Sequence, residues 1–373
     1  MKQDKIKVTV LFGGQSSEHE VSRLSAQCVL ENIDRQRFDV QMIGITKKGE
    51  WLRYDGDINL IGTGQWEQFA REKLSEAKYE GFNQKAPTCK DLVTFIDSQN
   101  QMHGVDVVFP VLHGPNGEDG SVQGLLQLAD VPYVGCDILS SAAGMDKEFS
   151  KLVFNNAGIP QAEYIKVMRS DIKASLNTII ERINETFGWP CFVKPANAGS
   201  SVGVNKVKKP EDLEKALDNA ALYDTKILIE EFIDGRELEC AVLGNESPKA
   251  SIVGEILPSN EFYDYNAKYL DGKSDTIIPA DIKPQIMEKI KEYAVRAFKA
   301  LGCSGLSRVD FFLEKGTDRI ILNEINTMPG FTDISMYSKL WEATGIPYSQ
   351  LITKLIELAF ERYEKTARSY ERK

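Results

Sequence analysis

Residues 105–114, VDVVFPVLHG, are apolar at nearly every position, so neither face of a strand built from them is marked for water. A run of this kind fits a strand covered on both sides, as in a parallel sheet flanked by helices. The segments around it keep the same rhythm. IKVTVLF (6–12) and FDVQMIGI (38–45) read as strands. Residues 16–33 read as a helix opening with a capping box, Ser17 and Glu20. SVQGLLQLA (121–129) reads as a helix and VPYVG (131–135) as a short strand. Strand and helix in alternation specify an α/β unit with a parallel sheet. Residues 47–90 are polar and poorly periodic and are expected to be a surface excursion.

The middle of the chain predicts a helix over 147–157, a strand at AEYIKV and a helix over 171–187. PCFVKPANAGSSVGVNKV then reads as strand, glycine-rich loop, strand. A helix over 210–222 leads into KILIEEFI. The last third carries strands at ELECAVLG, ASIVGEI, GLSRVDFFL and RIILNEIN, with a helix over 283–301. It closes with a helix whose apolar positions Ile352, Leu355, Ile356, Ala359 and Tyr363 follow the 3.6 period. A tyrosine-rich polar stretch, 259–279, reads either as a lid or as an ordinary ordered loop.

Composition narrows the function. The 373 residues suggest about two or three domains. A net charge of −10 opposes broad binding to nucleic acid or anionic membranes, so neither is expected as a partner. No apolar run is long enough to span a bilayer, and the N-terminal apolar stretch is too short for a signal sequence. The six cysteines form no CxxC pair, and only three histidines accompany them. Buried free thiols in a reducing cytoplasm are the expectation.

Four features carry chemistry. Arg308-x-Asp310 and Glu324-x-Asn326 each place two polar side chains on one face of a strand. A hairpin centred on Thr317 sets Asp310 opposite Glu324 and Arg308 opposite Asn326. Two carboxylates half-buried together need a counter-charge. With an amide oxygen beside them they suit Mg²⁺, which takes few protein ligands and keeps waters or phosphates. The alternative is a surface ladder of charge pairs.

The loop over 196–203, AlaAsnAlaGlySerSerValGly, can bring backbone N–H groups to a phosphate, with Lys194 just before it. It is not a Walker A motif; the one GK[ST] string, Gly272-Lys273-Ser274, has Ala267 in place of the first glycine. No GxGxxG follows the first strand, which argues against a dinucleotide oxidoreductase. Glu18 sits beyond the carboxyl end of the first strand, either as a ligand-binding acid or as an acid favoured by the helix dipole. His113 ends another strand and fits a site role or a structural one. FYDYNAKY (262–269) carries three tyrosines and a lysine.

Taken in order, LFGGQSSEHEVS, LHGPNGEDGSVQG, MDK, VKPANAGSSVGV, EEFIDGRELE, FYDYNAKY, SRVDFF and NEINTMPGFT resemble the ATP-grasp ligases that join two D-alanines. The resemblance spans residues 8 to 335. It implies an α/β, three-domain ATP-grasp fold: an N-terminal parallel-sheet, substrate-binding domain over 1–143, a central subdomain over 144–230, and a C-terminal subdomain over 231–373 with the metal site and omega loop. The resemblance makes Lys147 and Lys194 the phosphate-holding lysines. Glu230 is then the contact to the adenine amino group, with the Phe232 and Ile233 backbone nearby. Glu237 takes the ribose hydroxyls, and Lys268 lies on the mobile loop over the nucleotide. Asp310, Glu324 and Asn326 match a site for two Mg²⁺, with Mn²⁺ as a substitute. Arg308 and the Gly330 N–H match the oxyanion-stabilising groups.

Glu18 resembles the acid that binds the first D-alanine's ammonium, with Ser200 and Tyr269 as its hydrogen-bonding partners and His113 nearby. Ser335 and Met336 match the pocket for the second D-alanine's carboxylate. Some members carry lysine where this chain has Glu231, which bears on nucleotide affinity. The resemblance further implies D-alanine and ATP as substrates, a homodimer, and a cytoplasmic place in peptidoglycan synthesis. Close alternatives are ligases forming D-alanyl-D-lactate or D-alanyl-D-serine; Tyr269 favours D-alanine. More distant ones are another ATP-grasp ligase, such as a carboxylase, or a nucleotide-binding protein without ligase activity.

Overall fold

In the computed structural model, which describes residues 5–77, 95–96, 102–199, 202–257 and 275–367, the first strand, Ile6–Gly13, lies at the middle of a four-stranded sheet. It pairs in parallel with Phe38–Ile45 on one side and Val107–Pro110 on the other, with Val8 opposite both Val40 and Val107. Val8, Val10, Leu11 and Phe12 are fully buried, as expected for a strand covered on both faces. The apolar run at 105–114 contributes only Val107–Pro110 to the sheet, and VPYVG contributes a single bridge, Val108 to Tyr133.

Two local expectations change. The first helix begins at His19 and runs to Asn32, with Glu18 at its N-cap and no side-chain cap. Ser17 and Glu20 form no capping box: Ser17 is exposed and Glu20 pairs with Lys47 at 2.5 Å. Ser16 fixes the turn instead, donating to the His113 carbonyl at 2.8 Å and accepting from the Glu18 N–H at 3.0 Å. The second change concerns 47–90. Its described part contains an antiparallel edge strand, Trp51–Tyr54, and helices Asn59–Thr63 and Trp66–Ala77. Trp66 is buried, packs edge-on to Phe12 at 4.9 Å, and lies against Gly44, where a Cβ would sit 2.0 Å from the ring.

The second sheet is antiparallel, in the order Tyr164–Met168, Lys226–Glu231, Cys191–Pro195, Asn205–Val207. Helices Ile172–Thr186 and Leu213–Ala220 cover it, with Ile179, Ile183 and Leu217 packed on Ile165, Val193 and Ile227. The boundary expected after Glu230 falls one residue inside a strand of this sheet. The third sheet is also antiparallel: Asp275–Ile277, Lys249–Leu257, Gly235–Gly244, Gly305–Glu314, Ile320–Asn326.

The closing helix, Tyr348–Thr366, buries Leu351, Ile352, Leu355, Ile356 and Ala359 in one core with Val8 and Val107 of the first sheet and Ala241 and Leu306 of the third. Its four larger aliphatic side chains contribute roughly 8 kcal/mol of burial. Tyr363 departs from the expected stripe: it is 38% exposed, and its hydroxyl donates to Asp130 at 2.8 Å. Cys136, Cys191, Cys240 and Cys303 are buried and unpaired, and Cys28 is half-buried.

Candidate active site

The site is built on the hairpin Gly305–Glu314 and Ile320–Asn326. Arg308 faces Asn326 and Asp310 faces Glu324, as the spacing predicts. The turn itself is not centred on Thr317. Phe311 pairs with Leu322, and the register shifts by one between there and Asp310, leaving Asn323 as the extra residue of a bulge. Val309, Phe311 and Leu313 point into the core, while Arg308, Asp310 and Phe312 take the half-buried face.

On that face Arg308 grips Asp310 with two donors, Nε to Oδ1 and Nη2 to Oδ2, each at 2.7 Å. Arg308 Nε also lies 2.9 Å from Glu239 Oε2, and Glu239 is directly opposite Asp310 on the neighbouring strand. Asn326 donates its amide to Asp310 Oδ2 at 3.0 Å, so its own Oδ1 is the atom it would offer a cation. Glu324 lies 3.7 Å from Lys147. Two carboxylates and an amide oxygen on one half-buried surface are hard-oxygen donors of the kind Mg²⁺ takes.

Arg308, Glu239, Glu324 and Asn326 open onto a cavity of about 940 Å³, walled in part by Glu18, His113, Lys147, Lys194, Glu237 and Gly330. Lys147 begins the helix Lys147–Asn156, whose N-cap Asp146 accepts from the Glu148 and Phe149 N–H groups; its Nζ donates to the Ala198 carbonyl at 2.7 Å. Lys194 is the last residue but one of its strand and lies 2.6 Å from Glu230 Oε2. A second, buried ammonium, Lys151, lies 3.3 Å from Glu230 Oε1. Burial alone would raise the Glu230 carboxyl, but Lys151 and Lys194 outweigh it and hold the group below the ordinary carboxylate value. Phe232 stacks obliquely near Phe192 at 5.9 Å, with Lys206 over its ring at 4.0 Å. Ile233 and Phe232 line the cavity; Glu231 accepts from the Glu163 N–H at 3.2 Å.

At the other end, Glu18 is 5% exposed, and Gly199 lies so close that a Cβ on it would sit 2.3 Å from the Glu18 Oε1. His113 lines the cavity but has both ring nitrogens engaged: Nδ1 with the Met328 carbonyl at 3.1 Å and Nε2 with Ser25 Oγ at 3.0 Å. Ser25 in turn accepts from the Phe331 N–H at 3.1 Å. His113 therefore braces the turn that carries Gly330. Burial pushes its pKa down to about 4, so the ring is neutral. Ser335, at the N-cap of helix Met336–Ala343, accepts from the Thr332 N–H at 3.0 Å and lines the cavity together with Met336.

Ser200, Lys268 and Tyr269 lie outside the described residues, as does most of the stretch at 259–279. Three residues beyond those anticipated share the site. Lys151 stands one helical turn after Lys147, and Glu239 stands two residues after Glu237 on the same strand face. Glu118, in the GPNGEDG turn, accepts from the Gly114 N–H at 2.8 Å; burial, and then the charge of Glu18, push its carboxyl up to about 8.

The arrangement is that of an ATP-grasp ligase: an N-terminal sheet with a parallel core, two antiparallel sheets, and a cavity with lysines on one wall and an acidic hairpin on another. Family models for the D-ala D-ala ligase N-terminus and C-terminus match residues 7–136 and 153–357. A D-alanine–D-alanine ligase from Ruminiclostridium cellulolyticum is 57% identical over 98% of both chains, and one from Acetivibrio thermocellus is 55% identical over 99% of both. Among solved structures, the VanG D-Ala:D-Ser ligase from Enterococcus faecalis superposes with a TM-score of 0.82 at 39% identity, over 95% of this chain and 100% of that one. The D-alanine–D-alanine ligase from Coxiella burnetii gives 0.80 at 34%, over 97% and 96%. The chain belongs to the D-ala D-ala ligase family.

Proposed function

We propose that this enzyme joins two D-alanines at the expense of ATP, through an acyl phosphate, and so supplies a peptidoglycan precursor in the cytoplasm, working as a homodimer. One observation carries the reading. The hairpin register sets Arg308, Asp310, Glu324 and Asn326 side by side, and Arg308, Glu324 and Asn326 line a cavity that Glu18, Lys147 and Lys194 also line. No helix among the described residues is long and apolar enough to cross a membrane.

A carboxylate is a poor electrophile, so the first D-alanine is activated by attack on the γ-phosphoryl group of ATP. Glu18 is assigned to that amino acid's ammonium, with Ser200 and Tyr269 as its partners. Lys147, Lys194 and Lys268 hold the phosphates, Glu230 and the Phe232–Ile233 backbone the adenine, and Glu237 the ribose. Asp310, Glu324 and Asn326 would hold two Mg²⁺, or Mn²⁺, which neutralise phosphate charge. The second D-alanine is seated by Ser335 and Met336, and its amine, once deprotonated, attacks the acyl carbon. Arg308 and the Gly330 N–H face the oxyanion that develops there, and His113 keeps the Gly330 turn in place. The stretch at 259–279 is assigned as the lid that keeps water from the acyl phosphate. In domain terms the chain divides into 1–143, 144–230 and 231–373, the second boundary lying at the end of a strand.

Phosphate release from ATP and Mg²⁺ tests the reading, with D-alanine alone, L-alanine alone, D-alanine plus D-lactate, and D-alanine plus D-serine. Release with D-alanine alone and formation of its dipeptide is expected. Release only when D-lactate or D-serine is added transfers the function to the corresponding ligase.

A further inference from the structure

Lys194 lines the cavity on the phosphate side, yet its ammonium lies 2.6 Å from Glu230 Oε2. Left alone, these two would form a closed neutral pair with little net field for an anion. The third member of the group changes the balance. Lys151 is 2% exposed, comes from the helix behind the strand, and lies 3.3 Å from the other oxygen of the same carboxylate. It also contacts the Ala162 carbonyl, at 3.4 Å, and the Tyr164 ring, whose centroid is 5.5 Å away, and it feels the charge of Glu163. Two ammonium groups therefore share one carboxylate, one on each oxygen, and only Lys194 of the two faces the cavity.

We propose that Lys151 is a positioning residue for nucleotide binding: by neutralising Glu230 from behind, it leaves the charge of Lys194 to act on the phosphates. The inference rests on the reading of Lys194 as a phosphate-holding lysine. In a dry setting the field of one uncompensated ammonium on a polyanion a few ångströms away is large, and cancelling it removes that attraction. Adenosine carries no phosphate, so it feels the change only through Glu230, which is assigned to its adenine.

The test is equilibrium binding of ATP, adenosine and inorganic tripolyphosphate to the full chain and its variants. Lys194→Met is the control for the underlying reading: wild type must bind ATP and this variant must bind it more weakly, or the site assignment itself fails. With that established, Lys151→Met is expected to weaken tripolyphosphate by about tenfold or more and adenosine by a smaller factor, since adenosine feels only the change at Glu230. The double variant Lys151→Met with Glu230→Gln is expected to regain tripolyphosphate affinity, because Lys194 is again uncompensated. Equal losses for tripolyphosphate and adenosine, no loss of tripolyphosphate, or no recovery in the double variant overturns the inference. Should Lys151→Met fail to fold, Glu230→Gln carries the test: tripolyphosphate then binds more tightly than to wild type, and equal or weaker binding contradicts the proposal.

Discussion

Arg308 and Asp310, two residues apart on one strand, are joined by a two-point fork with both contacts at 2.7 Å. The residue assigned to the oxyanion and a residue assigned to the metal are thus a single electrostatic unit. A planar guanidinium fits that fork, and a lysine ammonium cannot reproduce it. Arg308→Lys is expected to lower kcat by about 10²–10³ with a smaller change in KM for ATP. Steady-state kinetics at saturating D-alanine measures the split.

Glu239 is the second anchor of Arg308, 2.9 Å from its Nε. Were Asp310 to turn to a cation, Glu239 would keep the guanidinium in place. Glu239→Gln retains the shape and removes the charge, and kcat is expected to fall about tenfold, the weakening of one charge-assisted contact. Comparing it with Arg308→Lys in a double-mutant cycle should give a loss smaller than the product of the single losses.

His113 makes stability depend on pH. Its ring takes a proton near 6.5 when exposed but only near about 4 when folded. The folded pKa is depressed, so the stability is intact above pH 6.5 and is lost as pH falls from there towards 4. The loss is on the order of 3 kcal/mol. Chemical denaturation at about pH 7.5 and about pH 4.5 is expected to show a smaller difference for His113→Asn than for wild type.

Trp66 closes the first core over Gly44 and Phe12. Trp66→Ala opens a large cavity there and is expected to cost roughly 3–5 kcal/mol, read as a lower denaturation midpoint.

Parts of this architecture were legible in the sequence for definite reasons. A strand repeats every two residues, so Arg308/Asp310 and Glu324/Asn326 announced one shared face. The same count hid the bulge at Asn323, because a tighter turn and one extra residue restore the pairing that a hairpin centred on Thr317 would give. Leu52, Tyr54, Ile61, Trp66 and Ala70 are all buried, but they are too widely and unevenly spaced to show a period in a polar stretch. Tyr363 fitted the helical period at a point where the helix had already left the core. Lys151 and Glu230 meet across 79 positions, and only the packing of a helix on a strand brings them together.

The central claim is that the first D-alanine's carboxylate attacks the γ-phosphoryl group. D-alanine labelled with ¹⁸O in both carboxylate oxygens tests it directly, with the released phosphate analysed by mass. Attack by the carboxylate leaves one of its oxygens on phosphorus when the amine displaces it. The account predicts one ¹⁸O in each phosphate formed together with dipeptide; dipeptide formed with unlabelled phosphate would contradict it.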